Sequence, residues 1–438
     1  MEPEPSESFN VLVERFLGKR LPDRLADEIS LARLSPDARE IIWRMLALMK
    51  RSSFPITDFN AYMVRLMATI TPAMLPSAWG GRIPPLTVAG RHKKLDTYVH
   101  QQHWKPNSGR PVFLDLGCGF PPVTTAETAN SLPDWSVFGV DRTFASYVLY
   151  HTDEAYACFD RDGKFLYFQP LKRPLHENAR TARDRFETLF AALSKELKVS
   201  GDNASRSIEK NGHRLVYNHI RDYEAQNLKF IESEIQGLQV PSARLIRCMN
   251  VLLYFDVAAR QKLRQSMEAL LDDGGLLISG FNHPFGIYAR YVVRRKSVAA
   301  TRPCEFAFSP DNLRPLGMGP WVTIKGDDED AILLADLTSA IRADRRFWPQ
   351  FSQYVDELRA KLGICIRDDD GYIRFTREAA TASPQVILQK SSALWHQLAK
   401  EGYTDGAVAA LGRAGYQAWK NPVGDIAILP PAEALSAG

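Results

Sequence analysis

The chain has 438 residues, of which 45% are hydrophobic and 24% are charged, and these proportions are typical of a soluble globular protein. At about 150 residues per domain, this length predicts two or three domains. Basic residues exceed acidic ones by 55 to 51, a net charge of +4, which is far below the dense basic surface of a dedicated nucleic-acid-binding protein. The composition therefore gives no support for a nucleic-acid partner.

The cysteines and the N-terminal sequence indicate the cellular compartment of the protein. The five cysteines include no Cys-x-x-Cys pair, so neither a disulfide framework nor a metal site is predicted. The first residues, MEPEPSESFN, lack the basic start and apolar stretch of a secretory signal, and no apolar run reaches the roughly 18 residues of a membrane span. The sequence predicts a cytoplasmic protein without a membrane-spanning segment, and it leaves the oligomeric state open.

Helical periodicity dominates the first 75 residues. Apolar residues recur at helical spacing from Phe9 onward. Ser35 precedes a proline and is predicted to cap a second helix, and Thr57 is predicted to cap a third. Prolines and paired glycines then break the pattern. We therefore expect an N-terminal helical domain over 1–75 and a linker over about 70–90.

Short apolar segments alternate with helical segments from residue 111 onward. This alternation predicts parallel strands joined by crossover helices, which is a doubly wound α/β fold, in a domain over 90–326. A helix capped by Asp256 is predicted to end at Gly274 and Gly275. The predicted strands have the sequences PVFLDLG, SVFGVD, LKFIES, ARLIRCMN and LLISG.

The segment between the second and third of these strands is far longer than a crossover needs. It contains DRDGKFLYF and EKNGHRLVY, and each has an Asp-Gly or Asn-Gly turn typical of a β-hairpin. Apolar residues between them, from Ala182 to Leu197, follow the period of an amphipathic helix. Residues 145–228 are therefore predicted to form an inserted α+β subdomain that contributes no strand to the main sheet.

Residues 327–438 are predicted to form a C-terminal α+β extension. They contain helical patterns, a third hairpin at DDDGYIRF, and the strand-like segments YQAWK and GDIAIL. Four basic residues ahead of this extension share one strand-like segment and are interpreted as a solvent-exposed face, in preference to a surface that binds an acidic substrate. These are Arg290, Arg294, Arg295 and Lys296.

A glycine turn and a carboxylate indicate a nucleoside site. The first strand runs into Gly117 and Gly119, where the absence of side chains lets a ligand approach the backbone. The second strand ends at Asp141, 22 residues past Gly119, and a carboxylate at this place accepts hydrogen bonds from a ribose. Dinucleotides and S-adenosylmethionine both contain such a ribose, so these residues alone do not distinguish between the two kinds of cofactor.

The two prolines after the turn favour a cofactor without phosphates. Pro122 stands where a dinucleotide fingerprint has its third glycine. Pro121 and Pro122 both lack the backbone N–H that a pyrophosphate would use at a helix start. An NAD-dependent oxidoreductase is therefore disfavoured and is kept as a third hypothesis.

These segments resemble the class I S-adenosylmethionine-dependent methyltransferases. VFLDLGCG resembles their first motif and VFGVD their second, and KFIESEI places Ser233-Glu234 where family members often have Gly-Asp beside the adenine. The resemblance covers roughly 110–282 without the insertion, and it implies S-adenosylmethionine as the cofactor and no metal. The cofactor-binding residues that it implies are Asp115, Gly117, Cys118, Gly119, Phe120, Asp141, Arg142, Ser233, Glu234, Asn250 and Val251.

The segment from NVLLYFD to GGLLISG is also similar to chemotaxis receptor methyltransferases, which esterify protein glutamates. Those enzymes carry Arg-Asn-Val-Leu-Ile-Tyr-Phe here, whereas this chain has Met249 in place of the arginine and a different glycine loop. The similarity implies that Asn250 and Tyr254 border the methyl-transfer site as catalytic residues. Because of the departures, the substrate is not carried over.

The sheet of this family ends in an antiparallel pair, and two segments compete to supply it. The segment 304–325, with CEFAF and WVTIK, follows the fifth strand directly and is favoured, since neighbours in sequence are usually neighbours in space. The rival is 415–430.

The leading hypothesis is a methyltransferase that acts on a small molecule or a protein side chain. Aligning a nucleophile with the sulfonium requires no acid–base dyad, so the lack of an obvious dyad is no objection. The alternative is a non-catalytic S-adenosylmethionine-binding or scaffold protein with the same fold.

Overall fold

The computed structural model describes most of the chain, and its elements mix α-helices with β-strands. No helix of the described part is long and apolar enough to cross a membrane. Residues 71–86, most of the predicted linker, lie outside the described residues. The described residues are 8–26, 29–70, 87–102, 104, 109–153, 155–169, 179–197, 206–217, 219–283, 287–298, 300–326, 328–382, 384–431 and 435.

The chain divides into two compact units. We call one of them the glycine-turn unit, which consists of Ala73–Gly90 and Pro106–Ala243. The other, the flanking unit, consists of Met1–Pro72, Arg91–Lys105 and Arg244–Gly438. The domain boundaries predicted from the sequence stay a prediction.

Helices and strands follow one another along both units. The α-helices are α1 (Phe9–Leu17), α2 (Asp23–Ala26), α3 (Pro36–Arg51), α4 (Ala61–Arg65), α5 (Lys93–His100), α6 (Val123–Ser131), α7 (Ala179–Ser194), α8 (Val257–Ala269), α9 (Glu329–Ala343), α10 (Trp348–Lys361), α11 (Arg377–Thr381), α12 (Pro384–Lys400) and α13 (Tyr403–Arg413). The strands are β1 (Val112–Leu116), β2 (Ser136–Asp141), β3 (Tyr147–Tyr150), β4 (Tyr156–Phe159), β5 (Phe165–Gln169), β6 (Ser207–Lys210), β7 (His213–Tyr217), β8 (Leu228–Glu232), β9 (Ala243–Met249), β10 (Leu271–Phe281), β11 (Arg290–Lys296), β12 (Thr301–Phe308), β13 (Cys365–Arg367), β14 (Ile373–Phe375), β15 (Ala418–Lys420) and β16 (Ile426–Ile428).

Parallel strands form the base of the glycine-turn unit. β1 pairs with β2 and β2 pairs with β8, both in parallel, and α6 connects β1 to β2. In this register Asp141 stands opposite Glu232. The carboxyl ends of β2 and β8 therefore coincide. The predicted α/β fold class is confirmed.

The insertion forms a sheet of its own. Its five strands lie in the order β5-β4-β3-β7-β6, and α7 contributes Phe186 to a core with Phe159 and Leu215. β4 and β5 form a hairpin, as do β6 and β7. The Asn-Gly turn has both residues at positive φ, 52° for Asn211 and 75° for Gly212, which is the conformation that tight hairpins need. An inserted α+β subdomain outside the parallel strands is confirmed.

The antiparallel strands of the flanking unit correct one prediction. The strands lie in the order β9-β10-β11-β12-β16-β15, and β11 pairs with the fifth strand of the prediction, β10. Neither 304–325 nor 415–430 therefore lies next to that strand. CEFAF belongs to β12, the second antiparallel strand, and β16 pairs with β12. WVTIK forms no strand, since Trp321 ends a 3-10 turn and residues 322–325 are irregular.

The strand adjacent to β10 carries the basic cluster, and its interpretation as a solvent-exposed face holds for Arg295 but is wrong for Arg290 and Arg294. Arg290 is 1% exposed and Arg294 is 3% exposed. The Arg290 Nη2 atom donates to Asp328 Oδ2 at 3.2 Å, and the charges of Asp330 and Glu329 oppose the burial that lowers the pKa of Arg294. The acidic stretch after residue 326 supplies the charge that allows this burial.

Two helix ends also differ from the prediction. α4 is capped by Asn60 and not by Thr57, because residues 56–58 form a 3-10 turn and the Asn60 Oδ1 atom accepts from the backbone N–H groups of Tyr62 and Met63. Asparagine caps helices as well as threonine does. α8 ends at Ala269, ahead of the glycines at 274 and 275, which lie within β10. The Ser35 cap of α3 is confirmed.

A buried carboxylate connects the N-terminal and C-terminal parts of the flanking unit. Asp58 is 1% exposed and accepts from Arg314 Nε at 2.8 Å and Nη2 at 2.7 Å, and from Arg367 Nη2 at 2.6 Å. Burial alone would raise the pKa of Asp58, but the guanidinium groups of Arg314, Arg367 and Arg359 outweigh it and lower that pKa. Asp58 is therefore ionised in the native protein.

Asp58→Asn is expected to lower the free energy of unfolding at pH 7 by about 3 kcal/mol, because it removes one partner of a buried ion pair. Urea unfolding followed by circular dichroism measures it. The native pKa of Asp58 lies below that of the unfolded chain, so wild type loses this contribution as the pH falls below about 4. The difference in stability between wild type and the variant should therefore shrink at low pH.

The control Asp336→Asn, in the exposed pair with Arg51, should cost less than about 1 kcal/mol. Equal effects of both variants would refute the assignment.

Candidate functional site

The glycine turn follows β1 directly. Gly117 has a φ of 71° and Gly119 a φ of 69°, and this left-handed conformation is open to glycine at no steric cost. The N–H groups of Gly117 and Cys118 donate to the Val140 carbonyl at 2.8 and 3.2 Å. The turn is thereby bonded to the end of β2.

Asp141 lies at this junction. Its Oδ2 atom accepts from the Gly119 N–H at 2.9 Å, and its own carbonyl accepts from the Ser233 N–H at 2.9 Å. The residue is half-buried. The Asp141 carboxylate therefore binds the glycine turn, and the Asp141 carbonyl binds Ser233, which follows β8.

The other predicted residues of the turn are buried. Asp115 is 4% exposed and its Oδ2 atom accepts from Thr125 Oγ1 of α6 at 2.6 Å. Cys118 is 4% exposed and Phe120 is 3% exposed. The Phe120 ring packs edge-on against Tyr156 of the insertion, with 6.4 Å between centroids. These three side chains therefore belong to the buried core around the turn.

Two prolines precede the helix that follows the turn. α6 starts at Val123, and Pro122 precedes it without a side-chain capping bond. The Val123 N–H donates to the Pro121 carbonyl at 2.8 Å. The residues that lead into this helix thus offer carbonyl groups and lack the N–H donors that a phosphate needs.

The residues predicted to contact adenine lie at the surface. Glu234 Oε1 and Arg142 Nε form an ion pair at 3.2 Å, with side chains 61% and 81% exposed. The Ser233 hydroxyl donates to the Glu234 carbonyl at 2.9 Å. The structure therefore brings Arg142, Ser233 and Glu234 together beside the ends of β2 and β8.

A cleft in the glycine-turn unit was missed by the sequence analysis. It has a volume of about 340 Å³. The rings of Phe144 and Phe230 stand nearly perpendicular, with 5.8 Å between centroids, and Glu232 Oε2 accepts from the Phe144 N–H at 2.8 Å. The alternation of β8 was the available signal, since it places Phe230 and Glu232 on one face. The lining residues are Phe144, Ala145, Ser146, Ile220, Arg221, Glu224, Phe230 and Glu232.

Two asparagines stand after neighbouring strands of the flanking unit. Asn250 follows β9 with a φ of 62°, and its N–H donates to the Gly280 carbonyl at 2.7 Å. The Asn250 Nδ2 atom donates to Asn282 Oδ1 at 2.8 Å, and the Asn282 N–H donates to Asn250 Oδ1 at 3.0 Å. These bonds fix the Asn250 amide. The reciprocal partner, Asn282, was not predicted.

Asn282 also binds a segment far away in the sequence. Arg91 donates from Nε to Asn282 Oδ1 at 3.0 Å and from Nη2 to the Asn282 carbonyl at 2.7 Å. The Asn282 Nδ2 atom donates to the Arg91 carbonyl at 3.1 Å and lies 3.2 Å from His92 Nδ1. Burial lowers the pKa of Arg91 to about 10, so it stays charged at neutral pH. Burial, and then Arg247 and Arg91, lower the pKa of His92 well below its usual value, so it is neutral.

Tyr254 ends the short 3-10 helix Leu252–Tyr254. Burial raises the pKa of its hydroxyl to about 12, against the opposing effect of Arg91. The hydroxyl is therefore protonated at neutral pH and can donate a hydrogen bond. Val251 precedes this helix and is half-buried. The structure thus places Asn250, Val251 and Tyr254 along one short segment, with Arg91 within electrostatic range of Tyr254.

No protein-family model matches the chain, and no curated protein matches it. Among solved structures it is similar to an S-adenosylmethionine-dependent methyltransferase from Clostridium acetobutylicum, at 14% identity and a TM-score of 0.21, over 50% of this chain and 66% of that chain. It is also similar to an O-methyltransferase family 2 protein from Planctomyces limnophilus, at 13% identity and a TM-score of 0.24, over 64% of this chain and 75% of that chain.

A third similar structure is an amino pentose methyltransferase from Micromonospora echinaspora, at 13% identity and a TM-score of 0.22, over 50% of this chain and 70% of that chain. The share of the first structure that is covered falls just short of two thirds. Because these identities and TM-scores are low, the function proposed below depends on the residues of this chain.

Asn282→Ala is expected to lower the free energy of unfolding by about 1–3 kcal/mol, because it leaves half-buried polar groups of Asn250 and Arg91 without their partner. Asn282→Asp is the matched control. Its carboxylate still accepts from Asn250 and Arg91, so it should cost less than the alanine variant. Urea unfolding of both variants provides the comparison, and an alanine variant as stable as wild type would contradict the central role of Asn282.

Proposed function

We propose that this chain is an S-adenosylmethionine-dependent methyltransferase. The observation that carries the proposal is the hydrogen bond from the Gly119 N–H to the Asp141 carboxylate at 2.9 Å. It places a half-buried carboxylate beside a glycine turn at the end of the second parallel strand. A carboxylate at this place in an α/β sheet suits the hydroxyls of a ribose.

The residues around the turn fit a nucleoside without phosphates. Gly117 and Gly119 leave the backbone open to a ligand, whereas Pro121 and Pro122 remove the N–H donors that a pyrophosphate would use. This donor set disfavours a dinucleotide. Asp141 would accept from the ribose, and Gly117, Cys118, Gly119 and Phe120 would form the adjacent wall with Asp115 behind them. When bound, S-adenosylmethionine supplies an electrophilic methyl group on a sulfonium.

The cleft beside β8 gives the base end of the ligand a place to extend. Its lining is mostly polar, the Phe144 and Phe230 rings add apolar contact, and Glu232 holds the Phe144 backbone through a 2.8 Å bond. Arg142, Ser233 and Glu234 lie at the same strand ends. We propose that these residues contribute to the binding of the nucleoside in the glycine-turn unit.

Within the flanking unit, Asn250, Val251 and Tyr254 are proposed to serve the transfer. The pKa of about 12 keeps the Tyr254 hydroxyl protonated, so it donates a hydrogen bond and does not act as a base below that pH. Asn282 holds the Asn250 amide in one orientation. Positioning of this kind can account for methyl transfer without a catalytic dyad. The acceptor is proposed to be a small molecule or a protein side chain, in the cytoplasm.

Asp141→Asn is expected to raise the dissociation constant for S-adenosylmethionine at least about tenfold, because a hydrogen bond to a charged acceptor is worth about 1.5–3 kcal/mol. Isothermal titration calorimetry measures it. The matched control is Asp134→Asn, an exposed residue ahead of the same strand, which should leave the affinity unchanged. Unchanged affinity in the Asp141 variant would remove the ribose assignment. A rise in melting temperature with NAD and none with S-adenosylmethionine would favour an oxidoreductase instead.

Tyr254→Phe is expected to reduce kcat while the dissociation constant for S-adenosylmethionine changes little, because the hydroxyl orients reacting groups and makes no main cofactor contact. Release of S-adenosylhomocysteine with a panel of acceptors gives the turnover, and calorimetry gives the affinity. Equal turnover in the variant and wild type would make Tyr254 a packing residue. Cofactor binding without any release of S-adenosylhomocysteine, for every acceptor, would favour a scaffold protein.

A further inference from the structure

A small cavity in the flanking unit lies apart from every residue proposed above. Its volume is about 20 Å³, which is enough for one species of the size of a water molecule or a halide ion. Polar side chains around it are Tyr288, Asp311, Arg314, Arg359 and Ser391, and the remainder of the lining is mostly apolar.

Arg359 is the polar group of this cavity that most needs a partner. It is 2% exposed. Its Nη2 atom donates to the Arg314 carbonyl, but Nε and Nη1 are buried and meet no hydrogen-bond acceptor among the described residues. Burial lowers the pKa of Arg359, and the positive charge of Arg314 lowers it further. Leaving a buried cation without a counter-charge is costly.

Two carboxylates near Arg359 are already engaged by other cations. Asp58 pairs with Arg314 and with Arg367, and Asp356 pairs with the same two residues. No carboxylate of the described residues lies within ion-pair distance of Arg359. The surroundings of the cavity therefore carry an excess of positive charge.

A fourth guanidinium adds to this excess. Arg342 is 9% exposed, and it donates to the carbonyls of Ser52 and Leu313. Burial lowers its pKa to about 9, so it stays charged at neutral pH. Asp311, which also lines the cavity, offsets only one charge.

The remaining polar groups of the lining favour an acceptor over a donor. The Tyr288 oxygen accepts from the Leu316 N–H at 3.2 Å, which leaves its hydroxyl proton to donate. The oxygens of Asp311 already accept, from Ser309 Oγ and from the Tyr288 N–H. A water molecule would have to donate its own protons to Ser391 or Asp311, whereas a halide ion only accepts and can use the donors of Arg359 and Tyr288.

We propose that this cavity binds one monovalent anion of the size of chloride, held by Arg359 Nε and Nη1 and by the Tyr288 hydroxyl. The lining comes from α10 and Ile364 after it, from α12 and from the segment 287–316, so the anion stabilises the packing of these elements. This site is independent of methyl transfer.

The first test measures the melting temperature of the full chain in sodium chloride or bromide against sodium gluconate, with ionic strength held constant. A ligand that binds only the native state raises this temperature as its concentration rises. Both halides are expected to raise it by a few degrees relative to gluconate, whose anion does not fit. A halide response no larger than that of gluconate would overturn the proposal.

Two variants assign the response to the cavity. Arg359→Met keeps the bulk of the side chain, removes the charge, and is expected to abolish the halide response. Arg51→Met, in an exposed ion pair of the same unit, should retain the full response. If Arg359→Met does not fold, Tyr288→Phe is used, and it should raise the halide concentration for half the effect severalfold. A response that both cavity variants retain would overturn the assignment.

Crystals of the full chain grown in sodium bromide give the direct observation. An anomalous peak within hydrogen-bond distance of Arg359 Nε or Nη1 is expected. Water density without anomalous signal at that place would show that the cavity holds a water molecule, and the proposal would then be wrong.

Discussion

The hydrogen bond between the Gly119 N–H and the Asp141 carboxylate is the constraint on which the glycine-turn unit depends. It exists because β1 and β2 pair in parallel, so that the turn after one strand meets the end of the other. The left-handed backbone of Gly117 and Gly119 lets the turn bend toward β2. A carboxylate fixed in this way is preorganised, and a ligand that binds it does not have to order it first.

Buried ion pairs are the corresponding constraint in the flanking unit. Asp58, Arg290 and Arg314 are each nearly inaccessible to solvent, and each is bound to an oppositely charged group. Guanidinium groups suit such positions because several N–H donors reach carboxylates and backbone carbonyls in a fixed geometry. The cost of burying these charges is offset only when every partner is in place. Arg359 departs from this pattern, which is why its cavity attracts an anion.

The two strand-end asparagines show how remote segments determine local geometry. Asn250 and Asn282 bind each other reciprocally, and Arg91 joins them from a segment 191 residues away. The positively charged Arg91 in turn influences the Tyr254 hydroxyl. The orientation of the residues proposed for methyl transfer therefore depends on a segment that precedes the whole α/β region in the sequence.

The sequence by itself determined the features that depend on a few neighbouring residues. These are the glycine turn, the Ser35 cap, the Asp-Gly and Asn-Gly hairpins, and the alternation of strands and helices, because local backbone preferences set each of them. Only the tertiary structure decided that β11 pairs with β10, that Arg290 is buried against Asp328, and that Phe144 packs edge-on against Phe230 beside a cleft. Each of these depends on burial and pairing between residues distant in the sequence. Basic residues of a strand can be buried when acidic residues from a distant part of the chain pair with them. The local sequence of the strand does not indicate where those acidic residues lie.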